Sequence, residues 1–181
     1  MKVFLFIIAG ILVTTLMVVF TTTSDLEPAL LQKAILEYNL NQKRIRNKRY
    51  LTIIDYRKNI FQTRLWVYDN QSRSVVLSTR VSHAFNSGLL YPTKFSNDNG
   101  SELSSLGVFI TGESYEKGNF GYSMRVDGIT PSLNTNARVR AIVFHTDPGY
   151  RFSKGCFMTS RDINRRLINL IKNKSLVCVY N

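Results

Sequence analysis

Hydrophobic and polar positions fall into three textures along the chain. Val3 to Phe20 is an apolar run without a charge. Its length lies at the border between the core of a signal peptide and a membrane span. Lys2 precedes it and Asp25 and Glu27 follow it, a bias that orients the remainder outside the cytoplasm. Thr22 and Ser24 are small enough for the two specificity positions of a cleavage site, but there is no clean A-x-A pattern. A cleaved signal and a retained anchor both stay open. From Glu27 to Leu40 the spacing becomes helical. Leu30, Leu31, Ala34, Ile35 and Tyr38 share one stripe, and Pro28 suits a first turn. A basic connector follows, with Lys43, Arg44, Arg46, Lys48 and Arg49.

From Leu51 the pattern changes to short runs rich in β-branched and aromatic residues, which predict strands. They cover Leu51 to Ile54, Leu65 to Tyr68, Val75 to Val81, Val108 to Thr111, Ser123 to Val126, Ala141 to Phe144 and Leu176 to Tyr180. Turn-formers separate them: Asp69-Asn70, the Gly88 region, Ser96 to Gly100, Gly118 to Gly121, and Asp127-Gly128. A second helix is marked by Thr159 or Ser160 as cap and Asp162 in the first turn. Ile163, Leu167, Leu170 and Ile171 form its buried face, and Lys172 and Lys174 lie near its end. The fold class predicted is mostly β, a sandwich or barrel, with an N-terminal helix and one helix after Cys156. The organisation predicted is an export or anchor segment over 1–24, a helix and basic connector over 25–50, and the main domain over 51–181.

Composition narrows the function. With 181 residues and 44% apolar content, the chain can build the core of one ordinary domain. The formal net charge of +12 favours an anionic partner or a solubilising surface. A nucleic-acid role is disfavoured by the export segment and by the lack of a recognition motif or a basic helix with interleaved aromatics. Only two cysteines occur, Cys156 and Cys178, so this is no disulfide scaffold. One bridge between them remains open, as does one reactive and one buried thiol.

Chemistry concentrates in Ala141-Ile-Val-Phe-His-Thr-Asp-Pro-Gly-Tyr-Arg-Phe-Ser-Lys-Gly-Cys156. An apolar strand runs into His145, and a turn-rich loop leads to Ser153-Lys-Gly-Cys156. A thiol near a helix start and beside Lys154 is expected to have a lowered pKa. A histidine at a strand end is placed to take its proton and pair with the thiolate. Gly155 permits close backbone approach, and its amide with that of Cys156 would serve a developing oxyanion.

His followed by Ser-x-Gly-Cys resembles the signature of L,D-transpeptidases. The likeness extends, in order, over Leu51-Thr-Ile-Ile-Asp-Tyr56, Leu65-Trp-Val67, His83-x-x-Asn-Ser-Gly88, Phe95-Ser-Asn97, Ser104-Ser-Leu-Gly107, Thr111-Gly-Glu113, Gly121-Tyr-Ser-x-Arg125, Asp127-Gly128 and Asn136-Ala-Arg138. This set is similar to the murein L,D-transpeptidase catalytic-domain-like branch over roughly residues 28 to 181. The resemblance implies a β-sandwich-like transpeptidase fold, Cys156 as nucleophile and His145 as base. It implies Ser153, Lys154, Gly155 and Cys156 as the active-site loop. The substrate implied is the peptidoglycan stem tetrapeptide, attacked at its third residue to release D-alanine and leave a thioester. An amine acceptor then gives a 3–3 cross-link, and water gives a carboxypeptidase. No metal or organic cofactor is implied, because the thiolate and backbone amides supply nucleophile and electrophile. Departures stand out too. Eleven positions separate His145 from Cys156, Thr146 replaces the usual Gly, and Lys154 stands where the family mostly has His, or Trp in this branch. A peptidoglycan-binding relative without turnover therefore stays open.

The remaining candidates are pocket residues. His83 lines a pocket or is a structural histidine. Glu113 orients His145, contacts a substrate amine or forms a surface ion pair. Arg138, or Arg140 beyond it, binds a stem-peptide carboxylate or forms a solvated edge. Asp147 is poorly placed to reach back to His145, and Cys178 reads as a buried inert thiol.

Overall fold

The computed structural model describes residues 25–181. The apolar run at 3–20, and with it the expected signal or anchor, lies outside the described residues. Among the described residues, no helix is long and apolar enough to cross a membrane.

Helix α1 (Pro28–Leu40) begins with Pro28 after Glu27 in extended conformation, and it ends where Asn41 returns its N–H and side-chain amide to Glu37 O. Its predicted stripe is its packing face. Leu30 and Ala34 are buried, with Leu31, Ile35 and Tyr38 packed against the same cluster. Eight strands follow: β1 (Tyr50–Asp55), β2 (Leu65–Asp69), β3 (Ser74–Thr79), β4 (Gly107–Gly118), β5 (Gly121–Gly128), β6 (Val143–Thr146), β7 (Phe157–Thr159) and β8 (Leu176–Tyr180). Helix α2 (Arg161–Ile171) lies between β7 and β8.

The strands form one sheet in the order β3-β2-β1-β8-β4-β5-β6-β7. Antiparallel pairing dominates; β1 with β8 and β6 with β7 are parallel. Period-two alternation splits the sheet into two buried faces. Ile54, Val67, Phe109, Met124, Phe144, Phe157, Val177 and Val179 point into one core with Leu167, Ile168 and Ile171 of α2. Leu51, Ile53, Trp66, Val108, Leu176 and Cys178 point to the other, which α1 covers. The central strands are thus apolar on both sides, which explains their continuous hydrophobic runs.

The sheet curls until its two edges nearly meet, so the expected sandwich or barrel takes barrel-like form. The segment after β3 reaches the chain just before and within β7. Ser82 N–H donates to Met158 O at 2.9 Å, and Met158 N–H to Ser82 Oγ at 2.9 Å. Ser153 N–H donates to His83 O and Phe85 N–H to Ser153 O, both at 3.0 Å. These few bonds make a seam, and Cys156 sits on it.

Two local expectations are corrected. Asp127-Gly128 is no turn but the end of β5. A Cβ on Gly128 would stand 1.9 Å from Asn134 O, so the glycine serves a close backbone approach. Strand β7 separates Cys156 from α2, so the thiol is not at a helix start; Ser160 is the N-cap, without a side-chain cap bond.

Candidate active site

The register of β6 and β7 sets the site. Phe144 pairs with Phe157 and His145 with Met158. Cys156, one residue before β7, is thereby alongside Val143, on the face that His145 and Met158 also share. Phe144 and Phe157 take the other face, where their rings stack at 4.8 Å in the core. The alternation that anchors two phenylalanines inside therefore brings the histidine and the thiol to one side.

His145 is 3% exposed. Its Nδ1 lies 2.8 Å from Thr146 O. A carbonyl only accepts, so Nδ1 carries the hydrogen and Nε2 the free lone pair. Phe120, from the β4–β5 turn, stacks on the imidazole at 4.4 Å between centroids. Burial holds the pKa below the ordinary histidine value, with the Thr146 bond opposing it. The resting ring is neutral at physiological pH, the form a base requires.

Cys156 reverses the expected thiol electrostatics. Burial raises its pKa, while an N–H contact from Val143 and the charge of Arg140 oppose the rise. Lys154 does not assist, because its side chain is 79% exposed and its ammonium pairs with Glu102 at 2.7 Å. Sγ lies 3.7 Å from Ala141 O, and no hydrogen bond joins it to His145 among the described residues. The resting pair is a neutral thiol and a neutral imidazole, not the ion pair expected from the basic neighbour.

The loop before the thiol is built for close contact. Gly155 has φ +122°, a left-handed conformation that disfavours a side chain. A Cβ there would meet Ile142 Cδ1 at 2.8 Å and Leu103 O at 3.0 Å. Gly155 N–H donates to Ser153 Oγ at 3.1 Å, so Ser153 shapes the turn and engages one of the two expected oxyanion donors. The amide of Cys156 has no partner among the described residues. Asp147 Oδ1 accepts the amides of Gly149, Tyr150 and Arg151, which organises the loop; among the described residues the carboxylate makes no hydrogen bond to the histidine ring, and only its charge acts there, opposing the effect of burial.

The family model of the L,D-transpeptidase catalytic domain matches residues 22–180. This chain belongs to that family. Among solved structures, the helical cell shape determining protein Pgp2 of Campylobacter jejuni is 13% identical, with a TM-score of 0.51 over 72% of this chain and 46% of that one. An L,D-transpeptidase from Stackebrandtia nassauensis is 13% identical over 76% of this chain and 58% of that one, at a TM-score of 0.47. One from Mycobacterium tuberculosis is 12% identical over 74% and 58%, at 0.49. At such identities the likeness is one of fold, and the chain spans about half the length of the solved chains it matches. No curated protein matches it.

The L,D-transpeptidase domain treats its other polar candidates differently. His83 is fully buried behind the loop. Arg64, also fully buried, brings Nη2 to 2.8 Å from His83 Nδ1, and His83 Nε2 lies 2.8 Å from Gly88 O. Arginine only donates and a carbonyl only accepts, so both ring nitrogens are engaged in the neutral Nε2–H tautomer. Burial pushes its pKa down to about 4. Its backbone holds Ser153 and its ring meets Phe152 edge-on at 5.5 Å, so the structure places His83 under the loop rather than on a pocket wall. Glu113 and Arg138 come together, but with each other. Arg138 binds both Glu113 and Asp127, and Arg125 also pairs with Glu113. That network holds the Glu113 carboxyl down to about 2 and leaves neither residue at His145. Arg140 is the arginine that faces the thiol. Its guanidinium donates to Ser96 O, Ser105 Oγ and Leu103 O, with no carboxylate partner among the described residues, and would lie 3.3 Å from a Cβ on Gly155. Alternation along Arg138-Val-Arg140 named both arginines; only their partners separate them. Phe120 carried no sequence signal, because its role depends on a turn meeting a distant strand.

Proposed function

We propose that this domain is a cysteine L,D-transpeptidase of the cell envelope, acting on peptidoglycan stem tetrapeptides through a thioester on Cys156. The observation that carries the reading is the β6–β7 register, which sets the thiol and an imidazole with a free Nε2 on one face. His145 accepts the thiol proton as Sγ attacks the carbonyl of the third stem residue. The S–C bond forms, the C–N bond to D-alanine breaks, and His145 returns the proton to the leaving amine. The Cys156 amide and the charge of Arg140 favour the oxyanion. A stem amine then displaces the thiolate to give a 3–3 cross-link, or water releases the tripeptide. Because the resting partners are not hydrogen-bonded, substrate closure completes the pair, as in many free enzymes. Residues 1–24 serve as export signal or anchor, 25–50 as helix and connector, and 51–181 as the catalytic unit, exposed to the wall outside the cytoplasm.

The raised thiol pKa and the open His145–Cys156 geometry favour one second reading, a wall-binding relative without turnover. Mass spectrometry of the full chain in detergent with a disaccharide tetrapeptide separates the two. A Cys156-dependent acyl adduct with dimer or tripeptide product is expected. A folded, reduced protein that binds the substrate without adduct or product overturns the enzyme reading.

A further inference from the structure

A cleft of about 430 Å³ opens beside the seam, with Met158 and Thr159 of β7 and Ser82 in its wall. Arg80, Arg151 and Arg161 line it. Five arginines elsewhere, Arg49, Arg57, Arg125, Arg138 and Arg165, each pair with a carboxylate. None of the three in the cleft does so among the described residues. Arg151 is held over the ring of Phe61, 5.5 Å from its centroid. Arg161 opens α2, so the first-turn amides add partial positive charge where Ser160 supplies no side-chain cap. Thr159 is 3% exposed and its hydroxyl has no partner among the described residues. The carboxylate in the cleft wall, Asp147, is engaged through Oδ1 by its own loop amides.

We propose that this cleft is an anion-binding subsite that takes the carboxylates of the stem peptide, with Arg80, Arg151 and Arg161 as its charged ligands. The proposal rests on the transpeptidase reading and extends it to substrate recognition. Two links tie the cleft to the thiol. Ser82 lines it and donates its hydroxyl to Cys156 O at 3.3 Å, and Met158 lines it and pairs in register with His145. A peptide that crosses the seam with its scissile carbonyl at Cys156 lays its anionic groups beside the arginines. Planar guanidinium forks match carboxylates two bonds at a time, which gives register as well as attraction. The volume suits a few residues of peptide.

The test uses the full chain carrying Cys156→Ala, so that binding is read without turnover. Calorimetry compares a stem tetrapeptide with free carboxylates against the same peptide amidated, with inorganic phosphate as a competitor. Arg80→Gln, Arg151→Gln and Arg161→Gln are each expected to weaken the free-carboxylate peptide about tenfold. Arg73→Gln, in the exposed β2–β3 turn, removes the same net charge and should leave binding unchanged. The amidated peptide should bind weakly to every variant. Arginine variants that bind like the parent, or lose no more than Arg73→Gln, overturn the subsite. So does phosphate that binds as tightly as the peptide. The two readings fail separately. An acyl adduct on the wild-type chain with arginine-independent binding removes the subsite alone. Arginine-dependent binding without an adduct removes the transpeptidase alone.

Discussion

Cys156 and Cys178 are both held in a low-polarity setting that raises the thiol pKa, to about 12 for Cys178, yet they sit in regions of different construction. Cys178 lies in β8, a central strand, in the cluster covered by α1. Strands pair on both sides of it, and its neighbours are Leu176, Ile53 and Val108. Cys156 lies where the sheet almost closes, beside a left-handed glycine and, among the described residues, an arginine without a carboxylate and a histidine with one unengaged nitrogen. Burial alone does not make a thiol inert or reactive. What differs is whether groups that oppose the desolvation cost, and a proton acceptor, share the face. The two histidines repeat the lesson. His83 has both nitrogens bonded, and His145 has one.

The largest contrast is in turnover. Cys156→Ala should abolish adduct and product, while Cys178→Ala should retain full turnover; equal losses in a product assay would erase the distinction. Next, His145→Ala should lower turnover about 10²–10⁴-fold with the fold intact. His83→Ala should act through stability, lowering a denaturant-measured ΔG by about 1–3 kcal/mol, since the buried Arg64 loses one of its acceptors and Gly88 O its donor. Arg140→Gln should slow alkylation of Cys156 at fixed pH several-fold, because the cation that opposes burial is gone; an unchanged rate would remove it from the site. In wild type, the iodoacetamide profile of Cys156 should have its midpoint above the ordinary thiol value of 9.0. A midpoint below 7 would restore a resting ion pair. The smallest effect concerns pH and stability. His83 takes up its proton near pH 6.5 when unfolded but only near about 4 when folded. Its contribution is complete above pH 6.5 and is lost as pH falls toward 4. Urea midpoints measured across that window should decline with acid.

Periodicity read the scaffold well because its elements bury regular faces. The stripe of α1 and the alternation in β1, β2, β4 and β8 all follow from which side chains enter a core. It failed where position depends on partners distant in sequence. Strand β7 has only Phe157–Thr159, too short for a periodic signal, and exists because β6 and Ser82 flank it. Lys154, the thiol's neighbour in sequence, suggests a lowered thiol pKa, but that side chain turns outward to Glu102. Arg138 and Arg140 are alike in sequence and opposite in role, because Asp127 and Glu113 claim the first. Cys156 and His145 were legible as a motif; the face they share became visible only with the register.

The position of β8 has a consequence for time rather than space. It comes last in chain order but is fourth in the sheet, paired in parallel with β1 from Leu51↔Leu176 onward and antiparallel with β4. The β1–β2–β3 meander can form early, yet β1 keeps an open edge until more than a hundred further residues have been added, and β4 keeps one until β8 follows it. Contacts so distant in sequence slow folding and leave unpaired edges exposed in the meantime. A chain still being made, or being threaded through a membrane, stays unable to complete its sheet until the segment from Leu176 to Tyr180 arrives.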